Sequence, residues 1–104
     1  MDYKIVVTQE AEHDLEQYVQ YLLFIKKNEQ AAGNLLSDFE ETKDRLSSVA
    51  GNLKLCDNPR LREVGYRRIN FVSHKYFLLY RIEGEVAYID AVFHELQDYE
   101  GKMI

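Results

Sequence analysis

The chain reads as an α+β domain: an N-terminal strand and an antiparallel helical hairpin packed on one face of a mainly antiparallel sheet, which a C-terminal three-strand meander completes. Three observations point there. A β-rich alternating run opens the chain, two apolar stripes at helical spacing follow, and three strand-like runs joined by two-residue links close it.

"YKIVVT" (3–8) alternates, with Tyr3, Ile5 and Val7 on one face. Thr8 is placed to cap the helix that follows, and Glu10, Glu12 and Asp14 suit the positive end of its dipole. In that helix Ala11, Leu15, Tyr18, Leu22 and Ile25 recur at steps of four and three and form one stripe. Asn28 interrupts the pattern. A second helix then runs to about Ala50, with Ala32, Leu35, Phe39, Thr42, Leu46 and Val49 along one side. So short a break makes the pair an antiparallel hairpin. "GNLKLCDNPRLREVG" (51–65), with the only proline, reads as an ordered loop.

Three strands are expected after it: 66–72, 75–82 and 85–93, linked by "SH" and "EG". Alternation predicts that Arg67, Ile69, Phe71, Tyr76, Leu78, Tyr80, Ile82, Ala87, Ile89, Ala91 and Phe93 face the helices. Arg67 spoils that pattern, which suggests a bulge or a strand-end position there. The opposite face would then carry Arg68, Asn70, Val72, Lys75, Phe77, Leu79, Arg81, Val86, Tyr88, Asp90, Val92 and His94. With no helix left to cover it, that face is the expected working surface.

Length and composition support a soluble globular unit, residues 1–104 as one domain: 46% of residues are hydrophobic and 30% charged, enough for a core without metal or disulfide. No apolar run approaches the roughly 20 residues of a membrane span, so no membrane partner is expected. The N-terminus lacks the features of a secretory signal, and a single cysteine, Cys56, offers neither a disulfide nor a metal spacing. A cytoplasmic location and no metal or other cofactor are the expectations.

The net charge of −5 is unevenly spread. Residues 54–82 carry seven basic and two acidic side chains, whereas both flanking segments are net acidic. A local positive patch on an acidic protein suits an acidic partner or phosphate. Arg68 and Arg81 either bind such a group or pair with Asp90 across the strands.

Taken in order, "YKIVVTQEAEHDLEQYVQYL", the helical hairpin, "LREVGYRRINF" and "KYFLLYRIEGEVAYIDAVFHELQDYE" resemble the RelE/ParE superfamily of toxins from type II toxin–antitoxin pairs. The most specific parts are Ala11, Asp14 and Leu15 after the first strand, Tyr76, Tyr80 and Arg81 in the aromatic strand, and a last strand ending in His94 with "DYE" beyond. The resemblance implies a cognate antitoxin partner and one of two activities: ribosome-dependent mRNA cleavage, as in RelE, or poisoning of DNA gyrase, as in ParE. Phe77 stands where the nucleases commonly have arginine, and "HELQD" stands where many members have "HGRRD". These departures remove cations that a phosphoryl transition state needs, and the long hairpin is also ParE-like, so the resemblance favours the ParE branch.

If the chain is instead an RNase, His94, Arg68 and Arg81 are the expected catalytic residues, with His94 as acid or base. A catalytically silent antitoxin-binding module is the third possibility. The expected partner-binding set is Arg60, Arg62, Arg67, Arg68, Phe77, Leu79 and Arg81. Tyr99, beyond the last strand, is either a proton donor or a chain-end anchor, and Cys56 receives no role.

Overall fold

The computed structural model describes residues 2–73 and 75–103. Strand β1 (Lys4–Val7) leads into helix α1 (Gln9–Gln20), and α2 (Glu29–Val49) returns antiparallel to it. A short helix α3 (Pro59–Val64) precedes strands β2 (Arg67–Asn70), β3 (Tyr76–Glu83) and β4 (Val86–His94), and helix α4 (Tyr99–Met103) ends the described chain. The sheet order is β1-β4-β3-β2; β1 is parallel to β4 and the other pairings are antiparallel. The expected architecture is present. The Ser73–His74 link lies partly outside the described residues.

Thr8 caps α1: its Oγ1 accepts from the Ala11 N–H at 3.3 Å and donates to the Ile89 carbonyl at 3.0 Å, tying the helix start to β4. Beyond Gln20 the helix widens into a π-type turn over Tyr21–Ile25, where the Lys26 N–H reaches the Tyr21 carbonyl five residues back. The wider turn carries Ile25 off the expected stripe, so it and Phe24 are exposed, at 68% and 69%. Lys27 takes the left-handed conformation (φ 52°), and Asn28 caps α2 by accepting from the Ala31 N–H at 2.9 Å. Ala32, Leu35, Phe39, Thr42 and Leu46 of α2 are all buried, as their spacing predicts.

The loop expected over 51–65 contains α3, a helix that the single turn of apolar residues around Leu61 hid. Asn58 caps it, Pro59 opens it and Gly65 (φ 100°) closes it, with the Tyr66 N–H returning to the Leu61 carbonyl.

Strict alternation fails in β4. Leu79 pairs with Ala91 but Tyr80 with Ile89, so Asp90 is an extra residue in the strand. The bulge lies at Asp90, while Arg67 begins β2, the strand-end position that was its other expected place. Past the bulge the side-chain phase reverses. Ala87 and Ile89 join the core beneath α1 and α2 as expected, but so does Val92, while Ala91 and Phe93 pack on the opposite face.

That opposite face is not open. Phe77, Leu79, Ala91 and Phe93 form a second buried cluster with Cys56 and Leu61, and Tyr66, Tyr99 and Met103 close over it. Tyr99 anchors the chain end edge-on to Phe77, at 5.0 Å between ring centroids. α3 and α4 supply the cover that was missing from the expected layer pair. Phe77 and Leu79, expected as partner-binding residues on an exposed face, are 1% and 0% exposed, because the two short helices bury them.

Candidate functional site

The three residues expected to cleave RNA do not converge. His94, Arg68 and Arg81 line three separate depressions. Each is already engaged. Arg81 donates from Nε to Asp90 Oδ2 at 2.7 Å and from Nη1 to Glu83 Oε1 at 2.6 Å, and its guanidinium lies 4.7 Å from the Tyr88 ring centroid. Tyr66 donates to the same Asp90 oxygen at 2.8 Å. Burial, helped by that bond, pushes the Tyr66 phenol up to about 12. The cross-strand pairing with Asp90 therefore belongs to Arg81 alone. Arg68 stacks on Phe77, 3.7 Å from the ring centroid, and donates to Asn70 Oδ1.

His94 lies on the helix side of the sheet, the reverse of the face expected for it, because the Asp90 bulge turns it over. Its Nδ1 accepts from the Leu96 N–H at 3.2 Å, so the neutral ring carries its proton on Nε2 and acts there as a donor. The ring meets Tyr76 edge-on at 5.1 Å.

The other expected partner-binding residues divide. Arg67 is structural: its Nη1 donates to the carbonyls of Leu53 (2.7 Å), Gly51 (3.0 Å) and Ala50 (3.4 Å), where α2 unwinds. Arg62 donates to the Cys56 carbonyl at 3.1 Å and lies 3.6 Å from Asp57. Arg60, Arg62 and Arg68 are the members of the expected set that stay exposed. Burial raises the Cys56 thiol, in keeping with an inert side chain.

Sequence reasoning missed how α1 seals the sheet. β1 pairs with β4 only as far as Ile89, which leaves the next part of the β4 edge without a strand partner. Asp14 and Tyr18, four residues apart and so on one helical face, replace that strand. Asp14 Oδ2 accepts from the Val92 N–H at 3.1 Å, and the Tyr18 hydroxyl accepts from the His94 N–H at 3.2 Å while donating to Gln97 Oε1. Burial is the main cause that raises the Asp14 carboxyl above its ordinary value, partly opposed by the Val92 bond. The spacing of Asp14 and Tyr18 was the available signal.

Beside this seal runs a groove of about 710 Å³ between the end of α1, the start of α2 and the ends of β3 and β4. Tyr21, Leu22, Tyr76 and Leu96 supply its apolar lining, with Lys26 and Lys75 also bordering it. Among the described residues, no group of three or more histidine, cysteine or carboxylate side chains is arranged to hold a metal, and no helix is long and apolar enough to cross a membrane.

A helical hairpin on a four-stranded mixed sheet, with His94, Arg68 and Arg81 in separate depressions, defines a small α+β domain. Comparison with known families then identifies the kind. The family model for the ParE toxin of the type II toxin–antitoxin system parDE matches residues 5–99, and the chain belongs to that family. It is a toxin component with an antitoxin as its partner. Among curated proteins, none is significantly similar in sequence. A solved structure described as a chromosomal ParDE TA system from P. aeruginosa has the same fold, with a TM-score of 0.68. The likeness covers 88% of this chain and 95% of that one, at 21% identity.

Proposed function

We propose that this toxin acts by binding DNA gyrase rather than by cutting RNA. One observation carries the choice: His94, Arg68 and Arg81 line three different depressions. General acid–base cleavage of a phosphodiester needs the proton-transfer group and the cations within hydrogen-bond reach of one phosphate. Arg81 would have to abandon Asp90 and Glu83, and Arg68 its stack on Phe77, before either could serve. The family match supports a toxin with an antitoxin partner; gyrase as its target is our reading, from the resemblance to the gyrase-poisoning branch. In this reading the exposed Arg60, Arg62 and Arg68 draw in an acidic antitoxin, and the toxin works in the cytoplasm.

Purified toxin should inhibit gyrase supercoiling, the inhibition should be relieved by the antitoxin, and ribosome-bound mRNA should remain intact in a parallel reaction. Cleavage of that mRNA, reduced on the order of 10²–10⁴-fold by His94→Ala in a folded protein, would establish the RNase alternative and overturn the proposal.

A further inference from the structure

We infer that the depression between α2, the segment before α3, and β2 is a phosphate site that holds a DNA strand without cutting it, an assignment that rests on the gyrase reading only for the choice of DNA over RNA.

The depression has a volume of about 510 Å³, and three cations from three elements line it: Arg45 of α2, Lys54 of the following segment and Arg68 of β2. All three side chains are exposed, and Arg45 has no ion pair among the described residues. One carboxylate, Asp57, shares the lining. It lies 3.7 Å from Lys54 and 3.6 Å from Arg62 in two exposed pairs, which hold little energy and yield readily to a stronger anion. The site is therefore net positive on a chain of net charge −5, and Arg62 stands at its rim.

Arg68 is the centre of the arrangement. Its guanidinium lies 3.7 Å from the Phe77 ring centroid and 5.7 Å from that of Tyr99, and its Nε donates to Asn70 Oδ1 at 3.0 Å. Stack and bond together fix the plane of the group, and its two Nη nitrogens have no hydrogen-bond partner among the described residues. A fork held in advance loses little freedom when it takes two oxygens of one phosphate. Asn70 accepts through its oxygen, so its amide N–H groups stand beside that fork as further donors.

The rest of the lining favours a strand over a lone anion. Leu53, Leu55 and the ring of Tyr99 offer apolar surface next to the cations. A carboxylate or a free phosphate would leave that surface unused. A nucleotide within a strand places its sugar and base there and directs the next phosphate toward Arg62. His94 lines a different depression, so a phosphodiester bound here meets no histidine and is held intact.

The test is fluorescence anisotropy of a labelled single-stranded DNA of about 20 nucleotides with the purified toxin, titrated at several salt concentrations. Three phosphate contacts should give a slope of about −2 in log K against log salt, since each contact on a single strand contributes about −0.7. Arg45→Gln and Lys54→Gln should each flatten that slope by about 0.7. Arg68→Ala should weaken binding by at least about tenfold, and Arg68→Lys should restore only part of the loss. The pair Lys26→Gln with Lys75→Gln, on the other side of the sheet, should bind as the parent does. Arg45 and Lys54 are exposed, so their variants should melt with the parent and keep the test decisive if Arg68→Ala does not fold. A parent protein that binds no DNA at low salt overturns the site and leaves gyrase inhibition, read separately in the supercoiling assay, to stand or fall by itself. An equal loss in the Lys26 and Lys75 pair would mean diffuse attraction and no site. Inorganic phosphate that displaces the strand at equal concentration would make it a small-anion site, and RNA of the same sequence bound at least about tenfold more tightly would remove DNA as the ligand; either result overturns the assignment.

Discussion

Removing the Asp14 carboxylate should unseal the end of the sheet. Its Oδ2 is the acceptor for the Val92 N–H, at 3.1 Å, in a strand where Val92 is 1% exposed. Asp14→Ala leaves that N–H without a partner and with little access to water. An orphaned buried donor costs about 1–3 kcal/mol. Removing a half-buried carboxylate gives back part of the cost of its own desolvation, so a net loss of about 1–2 kcal/mol is expected. For a domain of this size that lowers Tm by about 4–16 °C.

Asp14→Asn separates the two contributions. The amide oxygen still accepts from Val92, and no charge is buried, so its stability at neutral pH should equal or exceed the parent's. The pH dependence follows from the raised carboxyl. The native state holds the Asp14 proton to higher pH than the unfolded chain does. Its contribution is therefore fully present below the ordinary value of 3.8 and is lost as pH rises from there through the native value. Urea midpoints measured from pH 3 to 7 should show that declining contribution in the parent and not in Asp14→Asn. An Asp14→Ala protein as stable as the parent, or an Asp14→Asn protein as weak as Asp14→Ala, would refute the edge-sealing role.

Phe39→Ala should cost about 3–5 kcal/mol in urea denaturation, because the ring is 4% exposed and packs 6.2 Å from Phe71, centroid to centroid. Arg67→Ala should cost about 1.5–3 kcal/mol by the same assay, since one guanidinium nitrogen serves the carbonyls of Ala50, Gly51 and Leu53. A change under about 0.5 kcal/mol would mean that water replaces the guanidinium at no cost. Burial pushes both Tyr66 and Tyr80 up to about 12, so ultraviolet titration should show two phenols ionising well after the exposed ones. Because their native values lie above the ordinary 10, they favour folding below pH 10 and that stability is lost as pH rises toward 12. Tyr80→Phe should shrink this alkaline loss.

The element order was legible because local periodicity reports it directly. Ala32, Leu35, Phe39, Thr42 and Leu46 share a stripe whatever they pack against, and β-rich runs between tight turns make a meander with few alternatives. Asn28 and Thr8 were readable as caps because their partners lie three residues away. What failed was everything that depends on an added residue or on a distant partner. The bulge at Asp90 reverses the phase of a strand without any local mark, so Val92 and His94 exchanged faces with Ala91 and Phe93. The π-type turn did the same to Ile25.

The basic segment shows the same division. Its charge could be counted from the sequence, and pairing with Asp90 was one of two readings open for Arg81, but not that Arg67 would cap unwinding carbonyls or that Glu83 would also hold Arg81. Phe77 and Leu79 alternate like surface residues with nothing above them, and only the packing of α3 and α4 buries them. By itself, then, the sequence determined where the strands and the two long helices lie, though not the short helices α3 and α4, because periodicity within a turn or two of each residue marks only the longer helices. The tertiary structure decided which face each side chain occupies and which charges stay free, because those outcomes depend on contacts between residues as far apart as Asp14 and Val92.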